Sequence, residues 1–317
     1  MKAYEIDLDL PPNQRWNEIL DDYKEILIKV IPHLKKIIDT SLGYSYYIIY
    51  PIIKAYILAN KIKYYEELQA IATKLNISFQ YVLLLQLCYE ASTCCTSAVT
   101  KIENNYTMFR TMDWPLDFLK KLTIDLIFTK KGKVVFYATS WVGYIGILTA
   151  TVPKKYSLAV NYRRTENITF NSIIKNTLNV MKMHWPIGYL IREVCTNNLS
   201  NIEMKDMLCN SALVAPCYIT ICFADREPEI ITRDTNNFKI HKNKFVVQTN
   251  CDQNKISPDI LYSVERRNNV TKLFTNNTFK HIDELLINIL KYPVINNETI
   301  YYCVMDPMNG VHVTTIT

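Results

Sequence analysis

Over its first ninety residues the chain spaces its apolar side chains with the period of a helix; from Ser92 onward that rhythm breaks into short strand-like runs. A chain that changes period in this way has to bury helices against sheets. From Trp16, residues Ile19, Leu20, Tyr23, Ile26, Leu27, Val30, Ile31 and Leu34 fall on one helical face, with acidic residues early and lysines late. Pro32 is expected to kink that helix. Residues 62–75 and 79–90 are predicted helices, and residues 4–10 a short strand stopped by Pro11-Pro12. Beyond Ser92 the predicted strands are Leu122–Phe128, Val134–Thr139 and Leu158–Val160, the first two joined by a turn at Lys130-Lys131-Gly132-Lys133. Helical period returns at 171–194 and 201–209. Strands follow at Tyr218–Phe223, Glu229–Thr232 and Phe245–Thr249, then a helix at 280–290 and a last strand at Thr299–Met305. The order predicts an α+β fold of layered sheets with a helical N-terminal segment.

Composition removes several function classes. Six glycines and the absence of G-x-G-x-x-G and G-x-x-x-x-G-K exclude the glycine-rich nucleotide loops. The net charge of +6 divides into −1 over residues 1–94 and +7 over the rest, with no run of five like charges, so nucleic acid is not an expected partner. Nine cysteines are irregularly spaced, Cys217 and Cys222 lack a second ligand pair, and the five histidines are isolated; no metal and no cofactor is expected. Such cysteine usage fits a reducing compartment. Glu5, Asp7 and Asp9 stand where a signal peptide would be apolar, which reads as a cytosolic start. Seven N-x-S/T sequons, such as those at Asn76 and Asn269, point the other way.

Residues 42–59 have nearly the length of a membrane span, but contain Pro51, Lys54 and five tyrosines. They read as a core helix pair or as a surface that rests on a membrane, where tyrosine suits the headgroup boundary.

The most reactive local sequence is Cys94-Cys95-Thr96-Ser97, at the junction of the helical and strand-like regions. Arg110 and Asp113 follow closely; Asn250 and Arg266 lie far downstream. A cysteine nucleophile needs a cationic setting and a base, and an asparagine side chain can donate to an oxyanion. His184 is one candidate base, although it also reads as an ordinary helix-region residue. The other is an α-amine, created if the chain is cut before Cys95.

Several segments together resemble N-acylethanolamine-hydrolysing acid amidase and acid ceramidase, members of the N-terminal-nucleophile hydrolases. Residues Ile6 to Pro12 with Arg15-Trp16 resemble the start of mature acid ceramidase. Leu87 to Ser92 leading into Cys95-Thr96-Ser97 resembles the amidase cleavage junction, and Arg110-Thr111-Met112-Asp113 resembles the family's R-N-[LM]-D. Leu122 to Asp125, Gly143-Tyr144-Ile145-Gly146, Gln248-Thr249-Asn250, Arg266-Arg267 and Pro293 to Asn297 also have counterparts.

The resemblance implies an αββα sandwich, with a helical segment over 1–94 and a catalytic domain over 95–317 that stay together after cleavage between Cys94 and Cys95. It implies Cys95 as nucleophile with its own amine as base, Asp113 positioning that amine, and Arg110 supporting the thiolate. Asn250 would serve the oxyanion hole, Arg266 would support the site, and Tyr144 and Tyr162 would line it. The substrate implied is a lipid amide taken from a membrane surface, with residues 42–59 facing the bilayer. The implied compartment is lysosomal or secretory, against the cytosolic reading of the start. The sequence departs from the family where Asn161-Tyr162-Arg163 has Tyr162 for a glutamate, with Glu166 out of register, where Cys251 replaces a tyrosine and where Phe109 replaces a glycine. A non-catalytic lipid-amide-binding homologue and a ceramidase-type amidase stand as alternatives.

Overall fold

The computed structural model describes residues 1–42, 51, 62–87, 93–163, 179, 182, 184–254 and 261–317. In chain order its strands are β1 (Ala3–Asp7), β2 (Cys94–Ile102), β3 (Asn105–Asp113), β4 (Thr123–Lys130), β5 (Lys133–Trp141), β6 (Thr149–Val152) and β7 (Tyr156–Tyr162). They continue as β8 (Cys217–Phe223), β9 (Glu229–Arg233), β10 (Phe238–Lys242), β11 (Val246–Gln248), β12 (Thr299–Asp306) and β13 (Val311–Ile316). The helices are α1 (Asn17–Asp22), α2 (Lys24–Leu42), α3 (Tyr65–Leu75), α4 (Phe79–Leu87), α5 (Leu119–Leu122), α6 (Ile187–Thr196), α7 (Asn201–Asn210), α8 (Ser263–Asn276) and α9 (Ile282–Ile289).

One sheet has eight strands in the order β1-β4-β5-β6-β7-β8-β9-β10, and the other five, β11-β2-β3-β12-β13. All pairings are antiparallel except that of β1, which runs parallel to β4 with Ala3 opposite Asp125 and Asp7 opposite Thr129. The sheets stack, and helices cover both outer faces, giving the helix–sheet–sheet–helix sandwich expected. On the five-stranded sheet, Val270 and Phe274 of α8 and Leu285 and Ile289 of α9 pack on Ala98, Phe109, Val247 and Val304. The larger core joins the inner faces with α1, α3, α4, α6 and α7 through residues such as Leu20, Leu68, Val82, Leu190 and Met204. No described helix is long and apolar enough to cross a membrane.

The two-residue alternation of strands decides what β2 and β3 offer to each side. Cys95, Val99, Met108 and Met112 belong to the core between the sheets, whereas Ala98 and Phe109 belong to the outer core under α8 and α9. A side chain at 95, 97 or 110 therefore points between the sheets, and one at 96, 111 or 113 points towards α8.

The expected hairpin joins β4 and β5, with Lys131 at φ 51° and Gly132 at φ 66°. Two left-handed central residues make the turn whose twist matches paired strands. The predicted helix from Trp16 is two helices, broken at Tyr23, with Pro32 inside the second. Helix α8 and strands β10 and β13 were not legible. The tyrosine-rich run 42–59 lies outside the described residues apart from positions 42 and 51, as do most of 171–183 and Glu166.

Candidate active site

Cys95 is the second residue of β2 and is fully buried between the sheets. Opposite it runs β3, in which Ser97 pairs with Arg110 and Cys95 with Met112. Arg110 therefore points to the same side, and its Nη2 lies 3.4 Å from Cys95 Sγ. Its guanidinium is held by dipoles: Nη1 donates to the Leu148 carbonyl at 2.8 Å and the Thr149 hydroxyl at 2.6 Å, and Nη2 to the Val160 carbonyl at 2.9 Å. Tyr301 lies behind, with its hydroxyl 2.9 Å from Thr149 Oγ1. A positive charge held by these carbonyls beside the sulfur suits a developing thiolate.

Asp113 points the other way, towards α8. Its Oδ1 accepts from the Thr299 hydroxyl at 2.8 Å, and its Oδ2 accepts from Arg266 Nη1 at 3.2 Å and the Thr111 hydroxyl at 3.3 Å. Burial pushes its carboxyl up to about 6, with Arg266 opposing the rise. Arg266, on the first turn of α8, spans the outer side of the site. Its Nη1 also donates to the Thr96 hydroxyl at 2.9 Å, and its Nη2 donates to Asn250 Oδ1 at 3.1 Å.

Asn250 follows β11 and reaches the Cys95 nitrogen: that N–H donates to Asn250 Oδ1 at 2.8 Å. Asn250 Nδ2 donates to the Tyr162 carbonyl at 2.9 Å and to the Thr93 carbonyl at 3.2 Å. Two donors on the oxygen and two acceptors on the nitrogen leave one orientation for the carboxamide. The group against the Cys95 nitrogen is thus Asn250, while Asp113 reaches it through Arg266. Cys94 lies beside Cys95, but burial pushes its thiol up to about 12, with Arg266 opposing, so it remains a thiol.

Of the two tyrosines expected to line the site, Tyr162 ends β7 and its backbone carbonyl accepts from Asn250. Tyr144 is buried against Trp141 with ring centroids 5.9 Å apart, and Trp141 meets Trp114 at 5.6 Å. A Cβ on Gly188 would meet the Tyr144 hydroxyl, so a larger residue there would displace the tip of the ring. His184 places Nδ1 3.3 Å from the Leu213 carbonyl. Among the described residues no three His, Cys, Asp or Glu side chains are grouped to hold a metal ion.

Asn161 and Arg163, quoted from the sequence only as neighbours of Tyr162 and given no role there, also contribute. Asn161 Nδ2 donates to the carbonyls of Cys95 at 3.2 Å and Gln248 at 3.0 Å, and its Oδ1 accepts from the Ser97 hydroxyl at 2.6 Å. An asparagine inside the apolar strand β7 breaks the local pattern, and that break was the available signal. Arg163 grips Asp252 through Nε at 2.8 Å and Nη2 at 3.0 Å, while the Tyr218 hydroxyl donates to Asp252 at 2.7 Å. This clamp ties the end of β7 to the loop after Asn250.

Residues 95–278 match the family model of linear amide C–N hydrolases, choloylglycine hydrolase family, and residues 1–50 that of the beta subunit of N-acylethanolamine-hydrolyzing acid amidase. An uncharacterized protein of Acanthamoeba polyphaga mimivirus is 34% identical over 307 residues, covering 94% of each chain. Human acid ceramidase is 29% identical over 336 residues, covering 97% of this chain and 84% of its own. The fold matches a solved Caenorhabditis elegans N-acylethanolamine-hydrolyzing acid amidase ortholog with TM-score 0.60 at 23% identity, covering 70% of this chain and 100% of that one.

Proposed function

Because the chain belongs to the family of linear amide C–N hydrolases that holds N-acylethanolamine amidase and acid ceramidase, and is a hydrolase of amide bonds, we propose that it cuts itself before Cys95 and then hydrolyses lipid amides through that residue. The observation that carries this reading is the position of Cys95 between two partners: sulfur 3.4 Å from Arg110 and nitrogen 2.8 Å from Asn250. The match to the hydrolase family also begins at Cys95.

In self-cleavage the Cys95 sulfur attacks the Cys94 carbonyl carbon. The C–N bond to Cys95 breaks, a thioester forms, and water hydrolyses it, leaving a carboxylate on Cys94 and a free amine on Cys95. Thr93 then departs from Asn250, so one Nδ2 hydrogen becomes available to an oxyanion. In turnover the amine takes the thiol proton and the sulfur attacks the amide carbon. The amine hands the proton to the leaving nitrogen, the acyl group rests on sulfur, and water releases the fatty acid. Arg110 supports the thiolate, Asn250 holds the amine and the oxyanion, and Asp113 with Arg266 fixes Asn250. The apolar wall of Trp114, Trp141 and Tyr144 suits an acyl chain. A lipid amide has to leave a bilayer, and the tyrosine-rich run 42–59 is the segment whose sequence suits that contact. Tyr162 offers the site a carbonyl, which does not require the glutamate of the relatives.

Intact mass after incubation at acid and neutral pH, followed by turnover of N-acylethanolamines and ceramide, tests the reading. Two pieces parted between Cys94 and Cys95 and release of fatty acid are expected, with C95A uncut and inert. Hydrolysis that survives in C95A removes the mechanism, and an uncut wild type that binds lipid without consuming it favours a non-catalytic homologue.

A further inference from the structure

Gln86 lies on α4, in the segment that precedes the proposed cut, and is 1% exposed. Both ends of its carboxamide go to the backbone of one loop of the other segment. The Ile145 N–H donates to Oε1 at 2.9 Å, and Nε2 donates to the Gly143 carbonyl at 2.8 Å. Gly143 stands at φ +85°, a conformation that other residues rarely adopt. Arg192 Nη1 donates to the Ile145 carbonyl at 3.2 Å, and Arg192 is itself held by Glu67 at 2.8 Å. Residues of the N-terminal segment thus control both polar groups of Ile145, one directly and one through Arg192.

The loop leads straight to the sulfur. Ile147 N–H donates to the Gly188 carbonyl at 2.9 Å. The next two residues supply the Leu148 carbonyl and Thr149 hydroxyl that fix Arg110 Nη1, and Arg110 Nη2 lies 3.4 Å from Cys95 Sγ. Val82 and Leu83, on the same helix, are buried apolar side chains; Gln86 is a buried carboxamide where packing alone would accept a methionine.

We propose that Gln86 is a positioning residue for amide hydrolysis: by clamping Gly143 and Ile145 it sets the Leu148 carbonyl and Thr149 hydroxyl that aim Arg110 at Cys95. The N-terminal segment is then a working part of the catalytic centre. This inference rests on the amidase reading above.

Q86M keeps the volume and loses both hydrogen bonds; Q86E keeps the acceptor for Ile145 and loses the donor to Gly143. The probe is a fluorogenic lauroyl amide of aminomethylcoumarin, with kcat and KM measured separately and Cys95 alkylation by iodoacetamide followed against pH in the cut protein. Q86M is expected to lower kcat about ten- to a hundredfold with little change in KM. Its alkylation profile should move to higher pH, while the two pieces still co-elute. Q86E should recover part of the loss, and serves as the test should Q86M not fold. Turnover and alkylation in Q86M equal to wild type overturn the inference alone, as does a loss that only tracks the folded fraction. No turnover by wild type overturns the amidase reading and the inference with it.

Discussion

The carboxamide oxygen of Asn250 lies 2.8 Å from the backbone nitrogen of Cys95, across 155 residues of sequence. In the uncut chain this bond closes the junction between the N-terminal segment and the catalytic sheet. On the proposed cleavage, the same oxygen would face the new amine of Cys95. Arg266 and the Tyr162 carbonyl fix the side chain from its two ends, so the contact needs no rearrangement on cleavage.

That arrangement makes N250D informative. Aspartate keeps the acceptor but loses both donors, and it places a carboxylate against two carbonyls. Turnover of a lipid amide by the cut protein, read as kcat, should fall about a hundredfold or more. Turnover at the wild-type rate would take Asn250 out of the oxyanion role.

The guanidinium of Arg110 makes several contacts that one ammonium cannot reproduce. R110K should lower kcat by about a hundredfold with KM nearly unchanged, because the loss falls on the charge that develops at sulfur. A change confined to KM would place Arg110 in substrate binding instead.

Glu67 is fully buried, with Arg192 2.8 Å away, Arg15 3.0 Å away and the Trp16 indole donating to it at 2.6 Å. Removing it leaves the buried Arg192 charge without that partner. E67A should therefore lower unfolding stability by about 3–5 kcal/mol in urea titration. A midpoint within error of wild type would show that the charge is solvated in another way.

The acid response has a definite sign. Burial holds His312 neutral, down to about 3 from 6.5, between the hydroxyls of Thr139 and Thr151. Between those pH values the unfolded chain binds the extra proton, so this group's contribution to stability falls as pH falls. Asp113 and Asp125, both raised to about 6, act in the opposite sense between 3.8 and 6. The difference between wild type and H312Q isolates the histidine: from pH 6.5 to 5, wild type should lose about 2 kcal/mol relative to H312Q. Parallel curves would place His312 in contact with water.

The legible parts of the fold were those where local pattern and tertiary role agree. Lys131-Gly132 forms a turn because both residues must take left-handed φ, and glycine in such a dipeptide is visible in sequence. Helix α8 was not visible: of its fourteen residues, Val270 and Phe274 are the buried large apolar ones, and its asparagines favour turns. Arg266 was found by resemblance, without the helix that carries it. Face assignment was only half within reach: a spacing of three in one strand puts Arg110 and Asp113 on opposite faces, but does not say which of them lies between the sheets. Asp252 and Gln86 act through partners 89 and 59 residues distant, which no local window contains.

The parallel pairing of β1 with β4 has a consequence for how the protein withstands denaturation. A strand from residues 1–94 is laced into a sheet of the later residues, so the proposed cut would have to follow folding. Before it, refolding joins parts of one molecule and does not depend on concentration. After such a cut, the same sheet edge would have to be rebuilt from two separate polypeptides, and recovery would become second order. Dilution would then do to the mature protein what it cannot do to its precursor, making maturation a step that a denatured molecule does not readily retrace.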